Sequence, residues 1–240
     1  MLADEYDAKL APGGFPSAGK LDTKTLPCIS RDAVLDEIER GLVKFAGRKE
    51  LRNIKSEKGI TNRLCKILSG HKLLYFHHEG VQDEETGASP SVDVEAIATT
   101  AAVFEARSYA REDTLMSIEA KRLPSPPPKQ REREYLVGDD KPNGGIERFK
   151  RGIHGGQSAA WTILAYVQQH DFKTWREKIN GWIEDLSVNG KPPGFWHSTE
   201  KVEMIAENST TMRGRSEHKR QRGGKDDKIA VDHIWVLLLN

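Results

Sequence analysis

Three side chains in this sequence have types and spacing suited to chemistry. In TLMSIEAKRL, Thr114–Leu123, Glu119 and Lys121 stand two residues apart. Side chains on a β-strand alternate between faces, so these two project together while Met116, Ile118 and Ala120 turn the other way, into a core. Upstream, Ser91–Ala98 alternates likewise, with Val92, Val94 and Ala96 on one face and Ser91, Asp93 and Glu95 on the other. If the two strands are neighbours, Asp93 and Glu119 converge. Two converging carboxylates suit a hard divalent cation with oxygen ligands, Mg²⁺ or Mn²⁺, and the carbonyl of Ala120 offers a further ligand. Such an ion takes a phosphate oxygen and lowers the pKa of a bound water. Lys121 then helps to deprotonate or orient that water and offsets charge growing on phosphate. The competing reading of the same triplet is an exposed Glu–Lys pair on an edge strand.

The elements that must position these residues follow from hydrophobic periodicity. Val34, Leu35, Ile38, Leu42 and Phe45 form one stripe and predict a helix over Ala33–Phe45, capped by Ser30 or Asp32. Ile60, Leu64, Cys65, Ile67 and Leu68 predict a second helix over Thr61–Leu68. Leu73–Phe76 reads as a short strand, Ser91–Ala98 as another and Leu115–Lys121 as a third. Thr99–Ala110, rich in alanine, fits either a strand extension or a helix. Four prolines between Leu123 and Arg133 predict an irregular, exposed stretch. Gly144–Arg151 reads as a helix start, Trp161–Gln169 as a buried helix or strand, and Phe172–Leu186 as a helix. Arg213–Lys228 reads as a basic loop and Ile229–Leu239 as an apolar last strand. This order of helices and strands fits an α/β sandwich.

Composition sets the bounds. The chain has 240 residues and a formal net charge of +1, with 37 % hydrophobic and 30 % charged residues. That suits one folded domain over 31–240 preceded by a flexible arm over 1–30, where Gly, Pro, Ser and Lys recur without periodicity. A near-neutral balance argues against a protein that merely coats phosphate, yet a local basic stripe still permits a nucleic-acid partner. Two cysteines without a CxxC pair, Cys28 and Cys65, argue against a zinc knuckle, and Cys65 belongs to a helical core stripe. The opening MLADEYDAKLAPGGF lacks the features of a signal peptide, and the longest apolar runs are too short to span a bilayer. The expectation is a cytoplasmic protein with no membrane partner.

The acid strand and the IEAKRL strand together resemble the PD-(D/E)xK, or restriction-endonuclease-like, nuclease superfamily. The likeness is to members found in bacterial anti-phage defence loci. It extends over about residues 55–240: Glu57 followed by GITNRLCKIL, then Asp93, IEAKRL, GGIERF at Gly144–Phe149, SEHKR at Ser216–Arg220, and DHIWVLLL. One departure is that no proline directly precedes Asp93; Pro90 lies three residues earlier. The resemblance implies an α/β fold, a mixed central sheet flanked by helices. It implies an Mg²⁺- or Mn²⁺-dependent endonuclease that hydrolyses DNA phosphodiester bonds as a defence effector, restrained by a regulatory protein partner. Asp93 and Glu119 are then metal ligands with the Ala120 carbonyl, Lys121 the catalytic lysine, and Glu57 an additional acid. Arg148, His218 and Arg220 become phosphate contacts. The alternative is a catalytically inactive nucleic-acid-binding or assembly subunit of the same fold.

Other constellations carry less. Adjacent His77 and His78 on a strand face opposite ways and do not share one ion, so His77-His78-Glu79 reads as a polar strand end. No HExxH, GxSxG or P-loop occurs. The segment Met212 to Lys225 holds the densest positive charge, fit either to follow a phosphate backbone or to remain a disordered loop. His233, within the apolar last strand, reads as a satisfied core histidine. Trp175, Trp182, Trp196 and Trp235 read as packing residues.

Overall fold

The computed structural model describes residues 26–48, 54, 56–81, 91–127, 129–138, 144–154, 158–222 and 225–238. Its first helix, α1 (Arg31–Ala46), starts where Ser30 Oγ accepts the Ala33 N–H at 3.1 Å, and it buries the expected stripe of Val34, Leu35, Ile38, Leu42 and Phe45. The second helix, α2 (Glu57–Leu68), begins four residues earlier than the apolar stripe predicts. Its cap is Ser56, whose Oγ accepts the Gly59 N–H at 3.1 Å. A Cβ at Gly59 would press on Ser56 Oγ and Ile54, so this tight first turn requires glycine. Between the Pro-rich stretch and the C-terminal third lie a short 3₁₀ turn, Lys129–Arg133, and the six-residue helix α3 (Gly145–Lys150). The last helix, α4 (Phe172–Asn189), is capped by Asp171, whose Oδ1 accepts the Thr174 N–H at 2.8 Å.

Ten strands among the described residues make two sheets. The small one joins β1 (Cys28–Ile29), β4 (Ala102–Phe104) and β5 (Arg107–Tyr109). The large one holds β2 (Leu74–Val81), β3 (Ser91–Ala98), β6 (Thr114–Leu123), β7 (Ala160–Val167), β8 (Glu203–Glu207), β9 (Thr211–Arg222) and β10 (Lys225–Leu237). Its spatial order is β2-β3-β6-β7-β10-β9-β8. The inner strands β6, β7 and β10 run parallel, and the flanking pairs are antiparallel. Parallel strands are covered on both faces, which is why β7 reads AWTILAYV with little alternation. On one face α1 and α2 pack over Phe76, Val94, Met116, Ile118, Leu164 and Ile234. On the other, α4 and the apolar side of α3 pack over Ile163, Ala165 and Trp235. The chain is therefore a mixed α/β protein built on one large mixed sheet.

Several expectations change. The loose arm drawn over 1–30 lies mostly outside the described residues, but Cys28–Ile29 pairs parallel with β4, with Ile29 buried, and Ser30 caps α1. Thr99–Ala110 is neither a strand extension nor a helix; it is the β4–β5 hairpin, turned at Glu105 and Ala106 with φ of 47° and 59°. The basic loop expected over Arg213–Lys228 is a β-hairpin. Met212, Gly214, Ser216, His218 and Arg220 alternate inward along β9, and pairing to apolar β10 outweighs the charge density that suggested a loop. The four tryptophans expected to pack are buried. No helix among the described residues is long and apolar enough to cross a membrane.

Gly144 lets the start of α3 lie directly against the segment that precedes it. A Cβ there would run into the Val137 backbone and the Leu136 carbonyl, neither of which can move aside. Gly144→Ala is expected to lower the unfolding free energy by about 1–3 kcal/mol. Gly70→Ala, with nothing near the added methyl, should stay within about 0.5 kcal/mol of the parent. Denaturant midpoints at unchanged slope check both, and equal effects would contradict the steric account.

Candidate active site

Strand β6 occupies the middle of the large sheet, between β3 and β7. Glu119 is fully buried and Lys121 nearly so, which removes the reading of an exposed pair on an edge strand. Pairing of β3 with β6 runs from Ile97 opposite Thr114 to Val94 opposite Ile118. Beyond that point side chains take over from the ladder. Asp93 Oδ2 accepts the Ala120 N–H at 2.7 Å, and Glu57 Oε2, from the first turn of α2, accepts the Arg122 N–H at 2.9 Å. Thr61 helps to fix that turn by donating to the Glu57 carbonyl at 2.9 Å while meeting the Tyr166 hydroxyl at 3.0 Å. The gap between β3 and β6 is thus edged by carboxylates that bind the strand backbone.

Lys121 fills the gap. Its Nζ donates to Glu119 Oε2 at 3.1 Å and to the Ala120 carbonyl at 2.9 Å, with Glu57 Oε1 at 3.8 Å and Asp93 Oδ2 at 3.9 Å. Asp93 and Glu57 keep 33 % and 29 % of their side-chain surface, so the cluster opens on their side and closes behind Glu119. Behind it, Arg148 of α3 donates to both Glu119 oxygens at 3.3 Å, and His154 Nδ1 meets Oε1 at 2.5 Å. Gly145 lets α3 approach, since a Cβ there would sit 3.0 Å from the Tyr135 carbonyl oxygen and 3.1 Å from Ile163 Cδ1.

The electrostatics divide the acids. Burial alone would raise Glu119, but Lys121, His154 and Arg148 bring it down to about 2, so it is ionised. Burial and the Glu119 charge push Asp93 up to about 7, against the pull of Lys121. Burial also raises Glu57. Lys121 is raised despite its burial because three carboxylates surround it. The cluster sets Glu119, Asp93 and Glu57 against two cations, Lys121 and Arg148, and a bound divalent cation would favour the ionised forms of the two raised acids. Its donors, carboxylate and carbonyl oxygens, are those that hard cations prefer. Their present spacing fits an ammonium: Mg–O bonds are about 2.0–2.1 Å. Among the described residues no three His, Cys, Asp or Glu side chains stand as a preformed metal cage. The donor chemistry thus suits a hard cation, while the spacing is that of an ion-pair network around Lys121 Nζ.

Of the residues singled out in the sequence, Glu57, Asp93, Glu119, Ala120 and Lys121 meet here, and Arg148 joins them through Glu119. His218 and Arg220 do not. Both belong to the inward-facing row of β9 and are buried, so neither offers a phosphate contact at the surface. His218 Nε2 shares a hydrogen bond with Ser216 Oγ at 2.7 Å, and its Nδ1 lies 3.3 Å from Glu200. The Arg220 guanidinium lies over the Trp161 ring at 5.4 Å and against Gly152, whose φ of +67° also calls for glycine. His154 and the Lys150–Glu200 pair escaped sequence reading. The sole signal for them was proximity to GGIERF, and Glu200 lies 50 residues from its partner.

That pair starts a buried chain that ties α3 to the sheet. Lys150 Nζ contacts both Glu200 oxygens at 2.5 and 2.6 Å. The chain continues through His218 and Ser216 to His233 Nε2 at 2.7 Å. His233 Nδ1 meets the Tyr135 hydroxyl at 2.5 Å, and Trp235 Nε1 donates to that hydroxyl at 2.9 Å. His233 is the satisfied core histidine expected. A comparison with models of known families, with curated proteins and with solved structures finds no match. The fold and site define a mixed α/β protein with a buried acid–lysine cluster at the opening of its central sheet.

The buried chain makes stability depend on pH. Burial brings His233 down from 6.5 to about 3, so the folded chain keeps it neutral where an unfolded chain takes up a proton. Its contribution is complete above pH 6.5 and is lost as pH falls toward 3, at up to ~1.4 kcal/mol per pH unit. His218, also lowered by burial, acts in the same direction. His233→Asn is expected to flatten the pH dependence of the unfolding free energy across this window. Denaturant titrations at several pH values read it, and an unchanged slope would count against the assignment.

Proposed function

We propose that this chain is an Mg²⁺- or Mn²⁺-dependent endonuclease that hydrolyses phosphodiester bonds of DNA. The observation that carries the reading is the convergence of Glu119 Oε2, the Ala120 carbonyl, Asp93 and Glu57 around the Lys121 ammonium at the opening of the sheet. A buried lysine so surrounded marks a place built to hold positive charge in contact with solvent on one side. Asp93, Glu119 and the Ala120 carbonyl would hold the cation, with Glu57 as a further acid. The ion would supply Lewis-acid polarisation of a phosphate oxygen. Lys121, displaced from the acids, would orient the attacking water and offset charge on the phosphate. Arg148, about a quarter exposed, would offer its remaining guanidinium donors to a substrate anion.

The resemblance of IEAKRL, GGIERF and SEHKR to restriction-like nucleases of anti-phage loci extends the proposal. In that setting the chain is a cytoplasmic defence effector, and a protein partner restrains it in the uninfected cell. A second reading has its own observation: the spacing around Lys121 is that of an ion-pair network and not of a preformed metal cage. On that reading the chain is a catalytically inactive nucleic-acid-binding or assembly subunit.

Plasmid cleavage by the purified chain separates the two. The expected result is Mg²⁺-dependent nicking or cutting that a chelator stops. Asp93→Asn, at a half-open position, and Glu119→Gln should each reduce the rate by about 100-fold or more. The Asp93 variant should melt near the parent temperature. Parent-like cleavage by both variants would refute the site, and DNA binding with no cleavage under either metal would favour the second reading.

A further inference from the structure

His154 lies outside the motifs that brought Glu119 and Lys121 to notice, yet it makes the shortest contact to Glu119. The ring and the carboxylate are both buried, with Nδ1 2.5 Å from Oε1. A carboxylate oxygen accepts, so the ring meets Oε1 through its Nδ1 N–H. Nε2 has no hydrogen-bond partner among the described residues. The ring's one hydrogen bond among these residues therefore goes to Glu119.

The contacts of Glu119 are unequal in what they decide. Arg148 NH1 lies 3.3 Å from each oxygen and does not distinguish them. Lys121 takes Oε2 and His154 takes Oε1. His154 alone among these partners fixes Oε1 without touching Oε2. If it were lost, the carboxylate would be free to turn both oxygens to Arg148, a bidentate arrangement that guanidinium favours, and to leave the gap beside β3. The turn that carries the ring is itself anchored: the Arg148 carbonyl accepts the Ile153 N–H at 2.9 Å and the His154 N–H at 3.4 Å.

We propose that His154 is a positioning residue for the cation site, holding Glu119 by Oε1 so that Oε2 faces the point shared by Ala120 O, Asp93 and Glu57. The inference rests on the metal-dependent reading above and adds to it a residue that touches neither cation nor substrate. Partners of this kind orient a ligand and set metal affinity, and their loss usually weakens binding by about 10–100-fold.

The test is calorimetric titration of the full chain with Mn²⁺ and with Mg²⁺, in the parent, His154→Asn and His154→Leu. The Asn amide places a donor near the position of Nδ1, whereas Leu fills the space and donates nothing. The expected result is Mn²⁺ affinity within about threefold of the parent for Asn and about 10–100-fold weaker for Leu. Thermal midpoints need not follow this order, since Leu retains more buried volume; affinity that follows the donor and not the volume separates positioning from packing. If the Leu variant does not fold, His154→Met replaces it, a longer and more flexible side chain that likewise donates nothing. Parent-like affinity in the non-donating variant, or equal loss in Asn, overturns the inference while leaving the metal site in place. A parent chain that binds neither ion overturns the metal-dependent reading and this inference with it.

Discussion

A carboxylate without access to water sits in the central strand of this protein, and its cost has to be met by its neighbours. Glu119 is tolerated because Lys121, Arg148 and His154 reach it from three directions. Transfer of an unpaired carboxylate to such a place would be prohibitive, and removal of one member of a buried pair typically costs about 3–5 kcal/mol. Each partner in turn constrains an element. Lys121 requires the strand alternation of β6. Arg148 and His154 require α3 and its following turn to lie at one height over the sheet. That height depends on Gly145, which lies against Ile163, and on the buried chain from Lys150 to Trp235.

The opening between β3 and β6 is the second consequence. Antiparallel strands that continued to pair would have satisfied the Ala120 and Arg122 amides with backbone carbonyls. Here Asp93 and Glu57 satisfy them. The substitution leaves two acids half in solvent with their remaining oxygens uncommitted to the backbone, and it leaves the Ala120 carbonyl available to Lys121. A sheet that splits in this way places acidic groups at its own interior edge without spending a loop on them.

Much of this was legible in residue order. Period-two alternation located β3 and β6 and put Asp93, Glu119 and Lys121 on matching faces, because alternation is a local property of the strand. The stripes of α1 and α4 were equally local. The start of α2 was less so: apolar spacing pointed to Thr61, while the cap at Ser56 brings Glu57 into the first turn. The β9 strand was hidden because its inward row consists of Gly214, Ser216, His218 and Arg220, which look like a loop until apolar β10 is laid beside them. His154 and Glu200 were beyond local reading altogether. Their roles depend on partners 35 and 50 residues away that only the folded chain brings close.

Strand β10 follows the other nine described strands in sequence, yet it lies inside the sheet, between β7 and β9. It also supplies His233 and Trp235, the two groups that grip the Tyr135 hydroxyl. Without β10 the sheet would have an open parallel edge on β7, and the Tyr135 hydroxyl would lose both of its partners. The acid cluster, assembled from β3, β6, α2 and α3, is thereby coupled through Glu200, His218 and Ser216 to a strand that contributes none of its own residues to it.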